Sequence, residues 1–409
     1  MREMTRRQHL QALGAGLAYA AAVTEATAAN QNVAYGQATI PDGIRSRFVD
    51  NVNGLRVHIL EAGFATQGRP CVLLLHGFPE LAYSWRKVML PLAAVGFHVV
   101  VPDQRGFGRT TGWDSNYDAD LGPFSTLNMV RDALALVSAL GYHSVAAVIG
   151  HDAGSPVAAW CALTRPDVFR SVAMMSAPFA GPPAFPSGNA GAAAPGPNLD
   201  DQLAALPHPR KYYQRYYTTR EADNNMRNCP QGLHAFFRAY YYYKSADWKG
   251  NQPFPLKGRT AEEMAKMPTY YVMDLDKGMA ETVAPMMPSA DYIAACKWFT
   301  EDDVDVYASE YGRTGFQGGL NGYRRGADAR GNAELLTFSG RTIDVPSCFI
   351  SGKNDWGVYQ TAGSVERMRS TACTKMTGFH LVEGSGHWVQ QEQSEEVSKL
   401  LVEFLRQQA

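Results

Sequence analysis

Five short, nearly unbroken apolar runs, at residues 71–75, 97–101, 145–149, 171–175 and 348–351, constrain this chain more than any other feature. A strand with one wet face alternates apolar and polar side chains, whereas a strand covered on both faces reads as a continuous apolar run, as in parallel sheets. Helical periodicity lies between the runs. Residues 125–140 place Leu127, Val130, Leu134, Val137 and Ala139 around one face, and Gly141 follows as the stop. Ahead of the first run, 47–52 and 55–61 flank Asn53-Gly54, the dipeptide preferred in a two-residue hairpin turn. Strands alternating with helices predict an α/β fold with a mostly parallel, doubly wound sheet.

The alternation stops near Pro178. From there to about Thr342 the chain is rich in Pro, Gly, Ala, Tyr and Met, without buried-strand runs, and offers aromatic-rich helical candidates at 212–226, 232–243 and 291–298. Residues 181–197, mostly Ala, Gly and Pro, read as a mobile connector. The pattern resumes at Val345 and closes with a helix over 394–406. Length alone, 409 residues, would suggest two or three domains in series. The pattern instead predicts one core, 29–178 and 343–409, interrupted by a helical cap at 179–342.

Residues 1–28 form a separate object. Thr5-Arg6-Arg7-Gln8-His9-Leu10-Gln11 precedes a mildly apolar run at 12–23 and the small-x-small pattern Ala26-Thr27-Ala28. This reads as a twin-arginine export signal, although His9 stands where such signals usually carry Phe, and it points to a periplasmic or secreted protein; the plainer alternative is an Ala-rich N-terminal helix on a cytoplasmic one. The apolar run is too short for a membrane span, which takes about 20 residues. Charge narrows the partners: 38 Lys and Arg against 39 Asp and Glu give no basic field for nucleic acid. Six scattered cysteines make neither a disulfide scaffold nor a zinc site, and no cofactor or metal is implied.

The chemistry concentrates where the third run ends. Gly150-His151-Asp152-Ala153-Gly154 stands between a strand and a helix at 155–163, the small-x-nucleophile-x-small pattern of a nucleophile elbow. The usual occupant is Ser. Asp152 changes the reaction, because a carboxylate is already ionised at neutral pH and attacks saturated carbon to form an alkyl ester of the enzyme. The plainer alternative is an Asp capping the next helix. After the first run comes His76-Gly77-Phe78-Pro79-Glu80, so the Phe78 N–H, with that of Ala153, is the expected oxyanion hole. His76, Gly77, Pro79, Glu80 and His151 read as supports of these loops. Downstream, Asp355 lies just past a strand end and His387 in the Gly-rich loop Gly384-Ser385-Gly386-His387-Trp388. Nucleophile, acid, base is the chain order of this class of hydrolytic site, with Asp355 fixing the tautomer of His387 so that it can take a proton from water.

With these motifs the chain, from about residue 45 to its end, resembles the epoxide hydrolases of the α/β-hydrolase fold. Gly315-Phe316-Gln317-Gly318-Gly319-Leu320-Asn321-Gly322-Tyr323-Arg324 is similar to that family's cap motif, whose Tyr donates to the epoxide oxygen. Tyr213-Gln214-Arg215-Tyr216-Tyr217 is similar to the segment carrying the partner phenol, which implies Tyr213 in preference to Tyr212, Tyr216 or Tyr217. The implied activity is opening of a small or lipophilic epoxide to a vicinal diol. The sequence departs from the family at Ala153 and Gly322, where relatives often carry Trp, so a roomier pocket is expected. Tyr240 to Tyr243 read as cap packing or pocket wall. Two other functions stay open: a haloalkane or haloacid dehalogenase using the same Asp, and a non-catalytic ligand-binding member of the fold.

Overall fold

The computed structural model describes residue 35 and residues 40–185, 198–328 and 333–407. The export-signal reading of 1–28 and most of the connector at 181–197 lie outside the described residues. Eight strands form the main sheet: β1 Ile44–Val52, β2 Leu55–Ala62, β3 Cys71–Leu75, β4 His98–Pro102, β5 Ala147–His151, β6 Val172–Met175, β9 Ser347–Gly352 and β10 Met376–Val382. Their order is β1-β2-β4-β3-β5-β6-β9-β10, antiparallel at β1/β2 and β2/β4 and parallel elsewhere. The β1–β2 turn has Asn53 at φ 50° and Gly54 at φ 82°, both positive as a type I′ turn demands.

The apolar runs become β3, β4, β5, β6 and β9, and each divides its side chains between two cores. Val72, Leu74, Val99, Val101, Ala147 and Ile149 face the helices Arg86–Ala94 and Ser394–Arg406; Leu73, Leu75, Val100 and Val148 face Thr126–Ala139 and Gly154–Thr164. Burial on both faces is why these runs lack alternation. Helix Thr126–Ala139 is capped by Ser125, whose Oγ accepts the Asn128 N–H at 3.3 Å. Its buried face is Val130, Ala133, Leu136 and Val137, while Leu127 and Leu134 lie on the shoulder and Ala139 is exposed. The expected stripe was thus right at its centre and rotated at its edges, since 130, 133 and 137 form the line that 3.6 residues per turn brings to the sheet.

Strand order reverses between β3 and β5, so the loops leaving their C-terminal ends diverge and open a crevice at the sheet edge. The cap is inserted between β6 and β9 and covers that edge. Its helices include Tyr213–Tyr217, Glu221–Arg227, Gly232–Lys244, Ala290–Ala295, Glu301–Thr314 and Gln317–Ala327. The expected helix over 212–226 is therefore two, and two short strands not foreseen, β7 Arg210–Tyr212 and β8 Val272–Asp274, pair antiparallel beside it. Three residues each are too few to show a period. Among the described residues no helix is long and apolar enough to cross a membrane, and all six cysteines are unpaired.

Candidate active site

At the end of β5 the chain turns at Asp152, held at φ 49° with its N–H on Met175 O of β6 at 3.1 Å. Left-handed backbone costs a non-glycine residue about 1–2 kcal/mol, which Asp tolerates better than bulkier residues. The turn is tight enough to dictate its flanks. A Cβ on Gly150 would stand 2.1 Å from Gly154 O, and one on Gly154 2.5 Å from Leu75 O. Asp152 does not cap the following helix: Ala153 is at the N-cap position without a side-chain bond, and Asp152 Oδ1 instead accepts the Phe78 N–H at 2.9 Å. The β3 loop approaches so closely that a Cβ on Gly77 would lie 2.4 Å from Asp152 Cβ.

The residues read as supports hold these loops. His76 Nδ1 bonds Gly77 O at 2.8 Å, while its Nε2 accepts the Gln104 N–H at 3.1 Å. Burial lowers its pKa, so it is a neutral ring with one donor and one acceptor. Pro79 O accepts Tyr241 Oη at 3.2 Å. Glu80 accepts the Gly77 N–H at 2.9 Å, His151 Nδ1 at 2.7 Å and Gln390 Nε2 at 2.8 Å. His151 Nε2 in turn bonds the His387 carbonyl at 2.8 Å. Both His151 nitrogens face acceptors only, which requires an imidazolium. Burial opposes that charge, but the Glu80 carboxylate outweighs it and pushes His151 up to about 9, while Glu80 itself is held below the ordinary range.

Asp355, in the turn after β9, and His387, in the loop after β10, meet beside the elbow. His387 Nδ1 lies 3.1 Å from Asp355 Oδ1, and its Nε2 lies 3.4 Å from Asp152 Oδ2, an ion-pair distance without hydrogen-bond alignment. Asp355 also accepts Gly357 N–H at 2.7 Å, Ser351 Oγ at 3.1 Å and Ser176 Oγ at 2.5 Å. Burial raises both carboxyls. The nearby His387 reverses this at both, joined by Lys244 and His151 at Asp152 and by Ser176 and Gly357 at Asp355, leaving each below the usual range. Sequence reasoning missed Ser176, whose Oγ also lies 3.1 Å from His387 Nδ1; a Ser after an apolar strand carries no distinguishing mark.

A cavity of about 830 Å³ opens over Asp152, and Phe78, Ala153, Tyr212, Tyr213 and Tyr323 are among its walls. The Tyr213 and Tyr323 rings stand edge to face at 6.1 Å. Tyr213 Oη donates to Gln360 Oε1 at 3.2 Å, as does Tyr212 Oη at 3.1 Å. Tyr216 and Tyr217 point elsewhere, toward Asn225 and Tyr240. Burial, neighbouring phenols and the Asp152 charge raise Tyr213 and Tyr323 well above the ordinary phenol value, so both are donors at neutral pH. None of Tyr240, Tyr241, Tyr242 and Tyr243 lines the cavity; Tyr241 stacks on Trp388 at 3.9 Å. Gly322 does line it, and a Cβ there would meet no atom within 4 Å.

A switch-point crevice, a carboxylate on a strand–helix elbow and a His–Asp pair beside it are the marks of a hydrolytic enzyme of the doubly wound class. The family model of the alpha/beta hydrolase fold matches residues 70–393. Epoxide hydrolase B of Mycobacterium tuberculosis is 31% identical over 359 residues, covering 87% of this chain and 96% of that protein. An epoxide hydrolase of Caballeronia sordidicola is 30% identical over 354 residues, 87% and 92% respectively. Among solved structures, an epoxide hydrolase from an endophytic Streptomyces superposes with a TM-score of 0.67 at 31% identity, covering 90% of this chain and 96% of that one. The chain belongs to the epoxide hydrolases of the α/β-hydrolase fold.

Proposed function

We propose that this enzyme opens epoxides to vicinal diols through a covalent ester on Asp152. Tyr213 and Tyr323 hydrogen-bond the epoxide oxygen and stabilise the developing alkoxide while the Asp152 carboxylate attacks ring carbon from the opposite side; one phenol gives the alkoxide its proton and regains the one released when the ester is hydrolysed. Water activated by His387, oriented by Asp355, then attacks the Asp152 carbonyl carbon, and the N–H groups of Phe78 and Ala153 stabilise the oxyanion. The observation that carries this reading is the placement of one carboxylate between a backbone N–H on Oδ1, an imidazole beside Oδ2 and two neutral phenols on the wall of the same cavity. A single turnover in heavy-oxygen water should leave label in Asp152 and none in the first diol, whose new oxygen comes from the carboxylate. Label in that diol would establish direct water attack instead, and Asp152→Asn should form no diol.

The open space at Gly322 and the small Ala153 support substrates with bulk near the ring, whose aromatic surroundings suit lipophilic or aryl epoxides. Dehalogenation is the weaker reading, because Ala153 brings no side-chain donor for a halide and the phenols match an alkoxide better. We further propose the division into core and cap at 179–342, and removal of 1–28 on export to the periplasm; N-terminal sequencing of the protein recovered from cell fractions tests the latter.

A further inference from the structure

Three consecutive backbone N–H groups surround the base, and all three are captured from outside its loop. Gly386 N–H donates to Glu392 Oε2 and Trp388 N–H to Glu392 Oε1, each at 2.9 Å. The His387 N–H between them donates to the Lys244 carbonyl at 3.0 Å. Glu392 Oε2 also accepts the Ala246 N–H at 2.9 Å. Lys244 ends the cap helix Gly232–Lys244 and Ala246 follows it, whereas Glu392 ends the core helix Val389–Glu392. One carboxylate therefore ties the cap to both neighbours of His387. The fit leaves no slack, since a Cβ on Gly386 would stand 2.6 Å from Ala246 N and Lys244 O. Trp388 adds a bond from its indole N–H to Tyr241 O at 2.9 Å.

We propose that Glu392 is a positioning residue that clasps the His387 loop to cap residues 244–246, and that the water-dependent half of the reaction depends on this clasp. The proposal rests on the reading of His387 as base. Burial pushes Glu392 up to about 8 against the three N–H donors that converge on it, and what holds the loop is the geometry, with both carboxyl oxygens accepting backbone N–H groups. Loss of the clasp lets the His387 backbone shift, and a displacement of about 1 Å can cost a catalytic step about 10²-fold. Ester formation escapes, because Asp152 is set by β5, β6 and the Gly77 loop, none of which Glu392 touches.

The test follows a single turnover of styrene oxide by quench and mass spectrometry of the Asp152 peptide. Glu392→Gln keeps one acceptor oxygen but turns an NH2 group toward at least one of the N–H donors. Ester formation should stay within about twofold of wild type while ester decay slows about tenfold or more, and Glu392→Ala should slow decay further. Ala246→Pro removes the cap donor and sets a ring carbon where its hydrogen lay, against Glu392 Oε2, so it opens the clasp from the cap side with Glu392 itself unchanged. Ser245 before it is already extended, at φ −82° and ψ 169°, as a residue before proline requires. This variant should slow decay at least as much as Glu392→Gln, again without touching ester formation. Equal slowing of both steps, or unchanged decay in a variant that melts like wild type, overturns the clasp. Should Glu392→Gln not fold, the same two outcomes in Ala246→Pro decide it. Absence of any Asp152 ester in the wild type overturns the assignment of Asp152, and the clasp with it.

Discussion

The His151–Glu80 pair makes stability fall on the alkaline side of neutrality, by an amount the geometry bounds. His151 is fully buried, and its two nitrogens reach Glu80 Oε2 at 2.7 Å and His387 O at 2.8 Å, so folding favours the imidazolium. Its pKa rises from 6.5 to about 9. At about 1.4 kcal/mol per tenfold change, that rise corresponds to about 3 kcal/mol. The depressed Glu80 reports the same interaction and is not added again. Because the folded value lies above the unfolded one, the contribution is complete below pH 6.5 and is lost as pH climbs through about 9. Urea unfolding at intervals from pH 6 to 10 measures this loss. Lys, Cys and Tyr titrate in part of that range, so the informative quantity is the difference from the double variant Glu80→Gln/His151→Gln, which lacks both charges. Wild type should lose about 3 kcal/mol more than the variant across the window. Parallel curves would refute the imidazolium assignment, and with it the claim that a cation holds the His387 carbonyl.

Three further outcomes follow from the site. Tyr213→Phe and Tyr323→Phe should each lower kcat/KM for an epoxide by about 10²-fold with melting nearly unchanged, as expected when one donor to a developing oxyanion is removed. Ser176→Ala deletes the 2.5 Å bond to Asp355 without changing the backbone, and should cost about 1–3 kcal/mol in urea unfolding together with a fall in kcat that tracks ester decay. Gly322→Trp should fill open cavity space, raising KM for bulky aryl epoxides while sparing small aliphatic ones; an unchanged preference would show that this wall does not meet the substrate.

What the sequence disclosed and what it hid divide along a physical line. Two-sided burial turns a strand into an apolar run, so β3, β4, β5, β6 and β9 were legible, while the three-residue strands β7 and β8 were not. Asp152 announced itself through its neighbours, because a turn that brings Gly150 Cα and Gly154 O together excludes side chains on either side and so writes glycines into the chain. His387 had the same kind of marker: Gly386 is small because the cap backbone passes against it. Ser176 and Glu392 left no such trace. Ser176 reaches Asp355 across 179 residues of chain, and Glu392 reaches Ala246 across 146, each with one polar side chain of a common type. Ser176 even adopts φ 66°, yet the position is held by Ser and not by Gly, so the one local signal that could have exposed it is absent. Chemistry that constrains the main chain is therefore readable from local sequence, whereas chemistry delivered by a side chain over a long loop becomes visible only when the fold closes that loop.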